Sequence, residues 1–261
     1  MWGPSEEIMR AAPTEQFEQR QVQGPLFKQI KRQIIQSLVD GEWKPGEAVP
    51  SEAALAQRFG VSISTVRAAV GELVSGKVLT RIQGKGTFVS LHDKHRSLYR
   101  FFHIMRDDGQ KALPVSELIS IKKLHDPGVA DLLRLPRRNG LKDIFRIRNL
   151  VRVSGEPVAV SDISIPAHRF RGLTAQKIRS GDETLYAVYQ SQFGINIVKT
   201  IEQLRATVPE RAAARLLGIS SETPVLEVFR LAFTFDESPI EVRRSVVLTR
   251  SHHYRFDQGG L

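Results

Sequence analysis

The chain contains no cysteine. That excludes a disulfide scaffold and any thiolate metal site, and it fits a reducing cytoplasm. No apolar run approaches the ~20 residues that a membrane-crossing helix requires. Met1 to Gln23 lack the apolar core of a signal peptide; they are polar, rich in Gln and Glu, and read as a flexible tail over 1–23. Internal repeats and low-complexity tracts are also missing, which argues against a solenoid or a disordered scaffold.

What is present is an ordinary globular composition. Of 261 residues, 41% are hydrophobic and 25% charged, enough for one large domain or two ordinary ones. One sign of charge is in excess, for a net +10. Roughly +4 falls on residues 25–95 and +8 on residues 96–261, against −2 in the tail. Such a protein tends to meet a polyanion or anionic ligands. Most single charges are nonetheless explained by a solvated surface, so charge alone does not separate a DNA binder from a basic enzyme.

Periodicity divides the chain further. Leu26, Ile30, Ile34 and Leu38 form an apolar stripe, predicting a helix from Pro25 to Gly41. Ser51 can cap a second, short helix that carries Leu55 and Phe59 inward and ends at Gly60. Val61 and Ser62 lead into a third, Ile63 to Ser75, with Val66, Val70, Leu73 and Val74 inside and Ser64, Arg67, Ala68 and Gly71 outside. The period then becomes two: Val78–Ile82 and Thr87–Ser90 read as strands around Gln83-Gly84-Lys85-Gly86. Two helices on a tight turn, followed by a hairpin, predict a winged helix-turn-helix over 24–90.

A charged stretch without period, 91–100, reads as a linker, and 101–257 as a second domain. There, Asp126 can cap a helix from Pro127 to Leu135. Further helices are expected over Asp182–Phe193 and Pro209–Leu217, and a strand over Ile195–Val208. Ile144–Val153 with Pro157–Ile165, and Val225–Phe235 with Ile240–Thr249, read as hairpins. Hairpin-joined strands with packed helices predict an α+β domain built on an antiparallel sheet, and so an α+β two-domain protein.

The third helix is the element that could enter a major groove. Ser62, Ser64 and Thr65 place hydroxyls at its start, where backbone N–H groups favour phosphate. Arg67, one turn on, can reach a phosphate or a guanine. Gly84 and Gly86 let the hairpin tip approach a duplex closely, with Lys85 supplying charge. Ser51 and Thr87 complete the candidate DNA-binding set.

The runs PLFKQIKRQI, GEWKPGEAVPSEAALAQRFGVSISTVRAAVGEL and IQGKGTFVS closely resemble the GntR family of bacterial regulators, almost without gaps over residues 25–90. Two positions depart from it. Where family members carry a DNA-contacting arginine, this chain has Ala53; where many have a second, it has Ile63. Ile63 could instead touch a thymine methyl, or pack into the helical core. Residues from about 97 onward resemble the UTRA domain of the HutC subgroup: Phe145-Arg146-Ile147-Arg148, Gly155-Glu156-Pro157, Thr184-Leu185-Tyr186 with Phe193-Gly194-Ile195, Ser238-Pro239-Ile240-Glu241, and the ending Arg250 to Phe256.

That resemblance implies a chorismate-lyase-like fold, a dimer reading a roughly palindromic operator, no cofactor, and an effector pocket drawing on Arg146, Arg148, Thr184, Tyr186 and Glu241. Arg146 and Arg148, two apart on a strand, face one side and repel unless something negative lies between them. A phosphate- or carboxylate-bearing metabolite would serve, as would pairing with Glu227 or Glu241 across the sheet. Ser161-Asp162 stands where relatives that bind sugar phosphates use an acid before the Ile-Pro step. His252-His253 is a pair without cysteine or a helically spaced carboxylate, so no metal is expected and a surface or interface role is. The leading expectation is a ligand-controlled DNA-binding repressor, and the alternative an enzyme on the chorismate-lyase-like fold.

Overall fold

The computed structural model describes residues 25–90, 101–110, 112–136, 142–179 and 184–255. The expected tail, linker and last residues lie outside these. By internal contacts the chain divides into two units. The first groups the N-terminal residues with Tyr189–Lys199 and Phe233–Ser238; the second holds the remainder.

In the first unit, α1 (Leu26–Val39), α2 (Glu52–Phe59) and α3 (Ile63–Ser75) precede a hairpin of β1 (Leu79–Ile82) and β2 (Gly86–Val89). Each start and stop has a local cause. Ser51 accepts the Ala54 N–H and Ser62 the Thr65 N–H, so each satisfies a donor left over at a helix start. Gly60 ends α2 at φ 65°, a left-handed conformation that a side chain would strain. The α1 stripe is buried at Ile30, Ile34 and Leu38, whereas its first member, Leu26, is 50% exposed. These side chains join Leu55, Val66, Val70 and Leu73 in one core. Fully buried Ile34 alone contributes on the order of 1.5–3 kcal/mol. Val74 is only partly buried; Ala69, between Val66 and Val70, takes the inner place.

The second unit is built on a six-stranded sheet in the order β4-β5-β6-β9-β8-β7. Its strands are β4 (Pro114–His125), β5 (Asp143–Val153), β6 (Glu156–Pro166), β7 (Lys199–Thr207), β8 (Val225–Phe233) and β9 (Pro239–Val247). The pairs β4–β5, β5–β6 and β6–β9 are antiparallel. Ser154 and Gly155, at φ 52° and 84°, make the tight turn of the β5–β6 hairpin. The short helices α4 (Pro127–Leu132), α5 (Ala175–Arg179) and α7 (Arg211–Leu217) belong to this unit, as does the first half of α6 (Leu185–Phe193). Ala213 and Leu217 of α7 pack against Leu150 and Val160, so α7 covers the face carrying those two. A separate ribbon pairs β3 (Ile104–Arg106) with β10 (His252–Tyr254).

Candidate functional site

At the start of α3 the Ser62 hydroxyl lies 2.9 Å from both the Ser64 and Thr65 hydroxyls. Three hydroxyls therefore gather at the start of this helix. Ser62 and Ser64 are exposed and Thr65 half-buried. Ile63 is 45% exposed and outside the core cluster of its unit. Arg67, one turn along, is exposed, and its Nε donates to Glu52 at 2.8 Å. Arg81 of β1 donates to the other Glu52 oxygen at 2.7 Å. Sequence reasoning missed Glu52 and Arg81 as part of this surface. Their only early signal was the alternation that puts Arg81 directly across the hairpin from Thr87. At the tip, Gly84 and Gly86 take φ 72° and 120°, and Lys85 between them is exposed. Ser51 is exposed, with its hydroxyl engaged as a cap.

The effector residues expected from the sequence do not gather in one place. Arg146 pairs across β5–β6 with Ser164, and Arg148 with Asp162, which in turn opposes Arg244 of β9. Ile147, on the other face, opposes Ile163, which opposes Arg243. Side chains alternate along a strand. Arg146 and Arg148 thus lie on the face with Arg244, while Glu241 lies on the opposite face with Arg243. The arginine pair is also already neutralised. Arg146 donates to Asp126, the cap of α4, at 2.5 Å. Arg148 makes a two-point contact with Asp162 at 2.7 and 2.6 Å and reaches Glu210 at 2.8 Å. The Asp162 bonds raise the Arg148 pKa further above its usual value. Neither Glu227 nor Glu241 is the partner; those acids hold Arg244 and Arg243.

On the second face lies a buried network. The Tyr186 hydroxyl donates to Glu241 at 2.9 Å, and Arg243 grips the same carboxylate at 2.8 and 3.1 Å. Burial first, and the nearby Glu241 charge second, push the Tyr186 phenol up to about 12, so it remains a donor at neutral pH. Phe101 meets the Tyr186 ring edge-on at 5.0 Å, and its carbonyl accepts from Arg230 at 2.5 Å. Arg230 also pairs with Glu202, which takes the Tyr254 hydroxyl at 2.6 Å. Thr184 caps α6, accepting the Ala187 N–H at 3.2 Å. Further along the same face, Asn149, Ser161 and Ser245 form a row across three strands. The two serine hydroxyls are 2.8 Å apart, and Asn149 Nδ2 donates to Ser116 at 3.0 Å. The buried Asn149 Oδ1 has no hydrogen-bond partner among the described residues.

The histidine pair splits. His253 touches Asp107 at 2.8 Å, whereas His252 is buried at 7% exposure, contrary to a surface role for both. No cluster of three or more metal-ligating side chains occurs among the described residues, and none of their helices is long and apolar enough to cross a membrane.

Comparison with known proteins covers both units. The family model for bacterial regulatory proteins of the gntR family matches residues 26–89, and that for the UTRA domain matches residues 109–253. The HTH-type transcriptional regulator Rv0792c of Mycobacterium tuberculosis is 30% identical over 237 residues, covering 88% of this chain and 82% of that one. The mannosyl-D-glycerate transport/metabolism system repressor MngR of Escherichia coli is 27% identical over 235 residues, covering 88% and 94%. The ligand-binding domain of a GntR-family transcriptional regulator from Bordetella bronchiseptica superimposes with a TM-score of 0.57 at 31% identity, covering 62% of this chain and 99% of that domain.

Proposed function

The chain belongs to the gntR family of bacterial regulatory proteins and carries a UTRA domain, and from that premise we propose that it is a cytoplasmic, dimeric repressor that releases a roughly palindromic operator when a small metabolite binds. Its membership makes it a transcriptional regulator and sets the enzyme alternative aside. The observation that carries the DNA-binding reading is the exposed edge of α3: three hydroxyls around Ser62, then Ile63 and Arg67, above a basic glycine-flanked hairpin tip. Ser51, Ser62, Ser64, Thr65, Lys85 and Thr87 are assigned to phosphates, Gly84 and Gly86 to close backbone approach, and Ile63 and Arg67 to base edges.

The effector is assigned to the sheet face bearing Tyr186, Glu241, Arg243, Ser161 and Asn149, with Thr184 at the adjoining helix start. The unmet Asn149 oxygen and the serine row support a ligand rich in hydrogen-bonding groups. Arg146 and Arg148 leave the site, since each has its own carboxylate on the other face. An anionic effector, expected from that pair, would meet on this face Arg243, whose guanidinium Glu241 already holds.

The test is a gel shift with the promoters adjoining the gene, with and without neutral sugars, sugar phosphates and organic acids, alongside a thermal-shift screen of the same compounds. Specific binding that one compound relieves is expected. Failure to bind any neighbouring promoter at low salt sinks the DNA reading; a melting shift with anions that Arg243→Met does not abolish sinks the effector assignment.

A further inference from the structure

Glu52 is the first residue of α2, directly after its cap Ser51, so its carboxylate sits at the positive end of a helix. The side chain is 24% exposed and both oxygens are occupied: Oε2 accepts from Arg67 Nε at 2.8 Å, Oε1 from Arg81 Nη2 at 2.7 Å. Arg67 belongs to α3 and Arg81 to β1. One carboxylate therefore ties the groove-entering helix to the hairpin.

Stability is a poor explanation for this contact. The guanidinium side chains are 66% and 52% exposed, and ion pairs so open to water contribute little. An acid here also weakens attraction to phosphate, because the trio carries one net positive charge where two arginines alone would carry two. What the contact supplies is order. Arg67 meets Glu52 through Nε, so that contact uses neither Nη nitrogen and restricts how the guanidinium can turn. Guanine presents O6 and N7 to the major groove, and a guanidinium edge matches both at once. A fork already oriented loses less freedom when it pairs. Around it, Ala53 and Ile63 are exposed and uncharged, so pairing with a guanine at this edge falls to Arg67.

We propose that Glu52 is a specificity-determining positioning residue: it presents Arg67 edge-on to a guanine and withholds Arg67 and Arg81 from indiscriminate phosphate binding. This rests on the DNA-binding reading above. The test uses the full chain, a randomised duplex library for selection, and then fluorescence anisotropy on the enriched duplex and on poly(dI-dC) across a salt series. Glu52→Gln is expected to bind poly(dI-dC) more tightly and the enriched duplex more weakly, lowering discrimination about tenfold. With Arg67→Met and Arg81→Met both already present, Glu52→Gln should change discrimination no further. Should Glu52→Gln not fold, Glu52→Asp, too short to hold both guanidiniums, must show the same loss.

The proposal is overturned if discrimination is unchanged, or if both affinities drop by one factor together with the melting temperature, which is the signature of a purely structural contact. If the wild-type chain enriches no sequence, the DNA-binding reading itself fails, and the assignment of Glu52 goes with it.

Discussion

Replacing Arg230 by methionine offers the sharpest test of the buried network. Arg230 and Glu202 side chains are 8% and 3% exposed, so neither charge has water to fall back on. Methionine keeps the apolar stem and removes the guanidinium. Glu202 would then be left with the Tyr254 hydroxyl, and the Phe101 carbonyl would lose its donor. Breaking a buried pair by removing one partner typically costs about 3–5 kcal/mol. At roughly 2–4 °C per kcal/mol for a domain of this size, the melting temperature of the second unit should fall by about 6–20 °C. The double variant Arg230→Met/Glu202→Leu removes both charges and should recover most of that loss, leaving mainly the unmatched tyrosine hydroxyl, on the order of 1–3 kcal/mol. Differential scanning calorimetry, which separates the transitions of a chain with two units, is the assay. A single variant within about 1 kcal/mol of wild type, or a double variant no better than the single, refutes the reasoning.

Three further outcomes follow from the geometry. Lys85→Ala should weaken binding to all duplexes alike and reduce the slope of log affinity against log salt by about 1; an unchanged slope means that Lys85 does not neutralise a phosphate. Ile63→Arg should change the sequence recovered by in vitro selection, and recovery of the wild-type sequence would remove Ile63 from the base contacts. Burial, reinforced by Arg106, holds His252 below the usual histidine range. Between that lowered value and about 6.5 the unfolded chain binds more protons, so stability is full above about pH 6.5 and declines below it. His252→Asn should flatten this decline in pH-dependent melting curves, and an identical pH profile would show that the buried ring is not its source.

The head was legible because its information is local. A cap, its helix and its terminating glycine lie within a dozen residues, and Ser51, Ser62 and Gly60 each do in space what their sequence positions announce. Leu26 shows the limit: it keeps the helical period, yet it lies in the first turn and is half-exposed. Sheet order is another matter. The hairpins β5–β6 and β8–β9 could be read from their turns, but the β6–β9 pairing joins strands more than seventy positions apart and leaves no local trace. The long strand β4 and the β3–β10 ribbon were missed for the same reason: their partners, not their own periods, define them.

The same distinction bears on the proposed effector site. Two arginines on one strand face look like a demand for an anionic ligand only until the carboxylates brought in from elsewhere are counted. Asp126 arrives from a helix cap, Asp162 from the neighbouring strand and Glu210 from the residue before α7. A cluster of like charge therefore says little about a ligand while its counter-charges are unknown. An unmet hydrogen-bonding atom is harder to explain internally, because leaving a buried acceptor without a donor costs about 1–3 kcal/mol. Asn149 Oδ1 is such an atom, on the face that also carries Tyr186, Glu241 and Arg243. A donor from a bound metabolite would recover that energy in the ligand-bound state alone, and differential stabilisation of one state is what a regulator needs in order to couple metabolite to DNA.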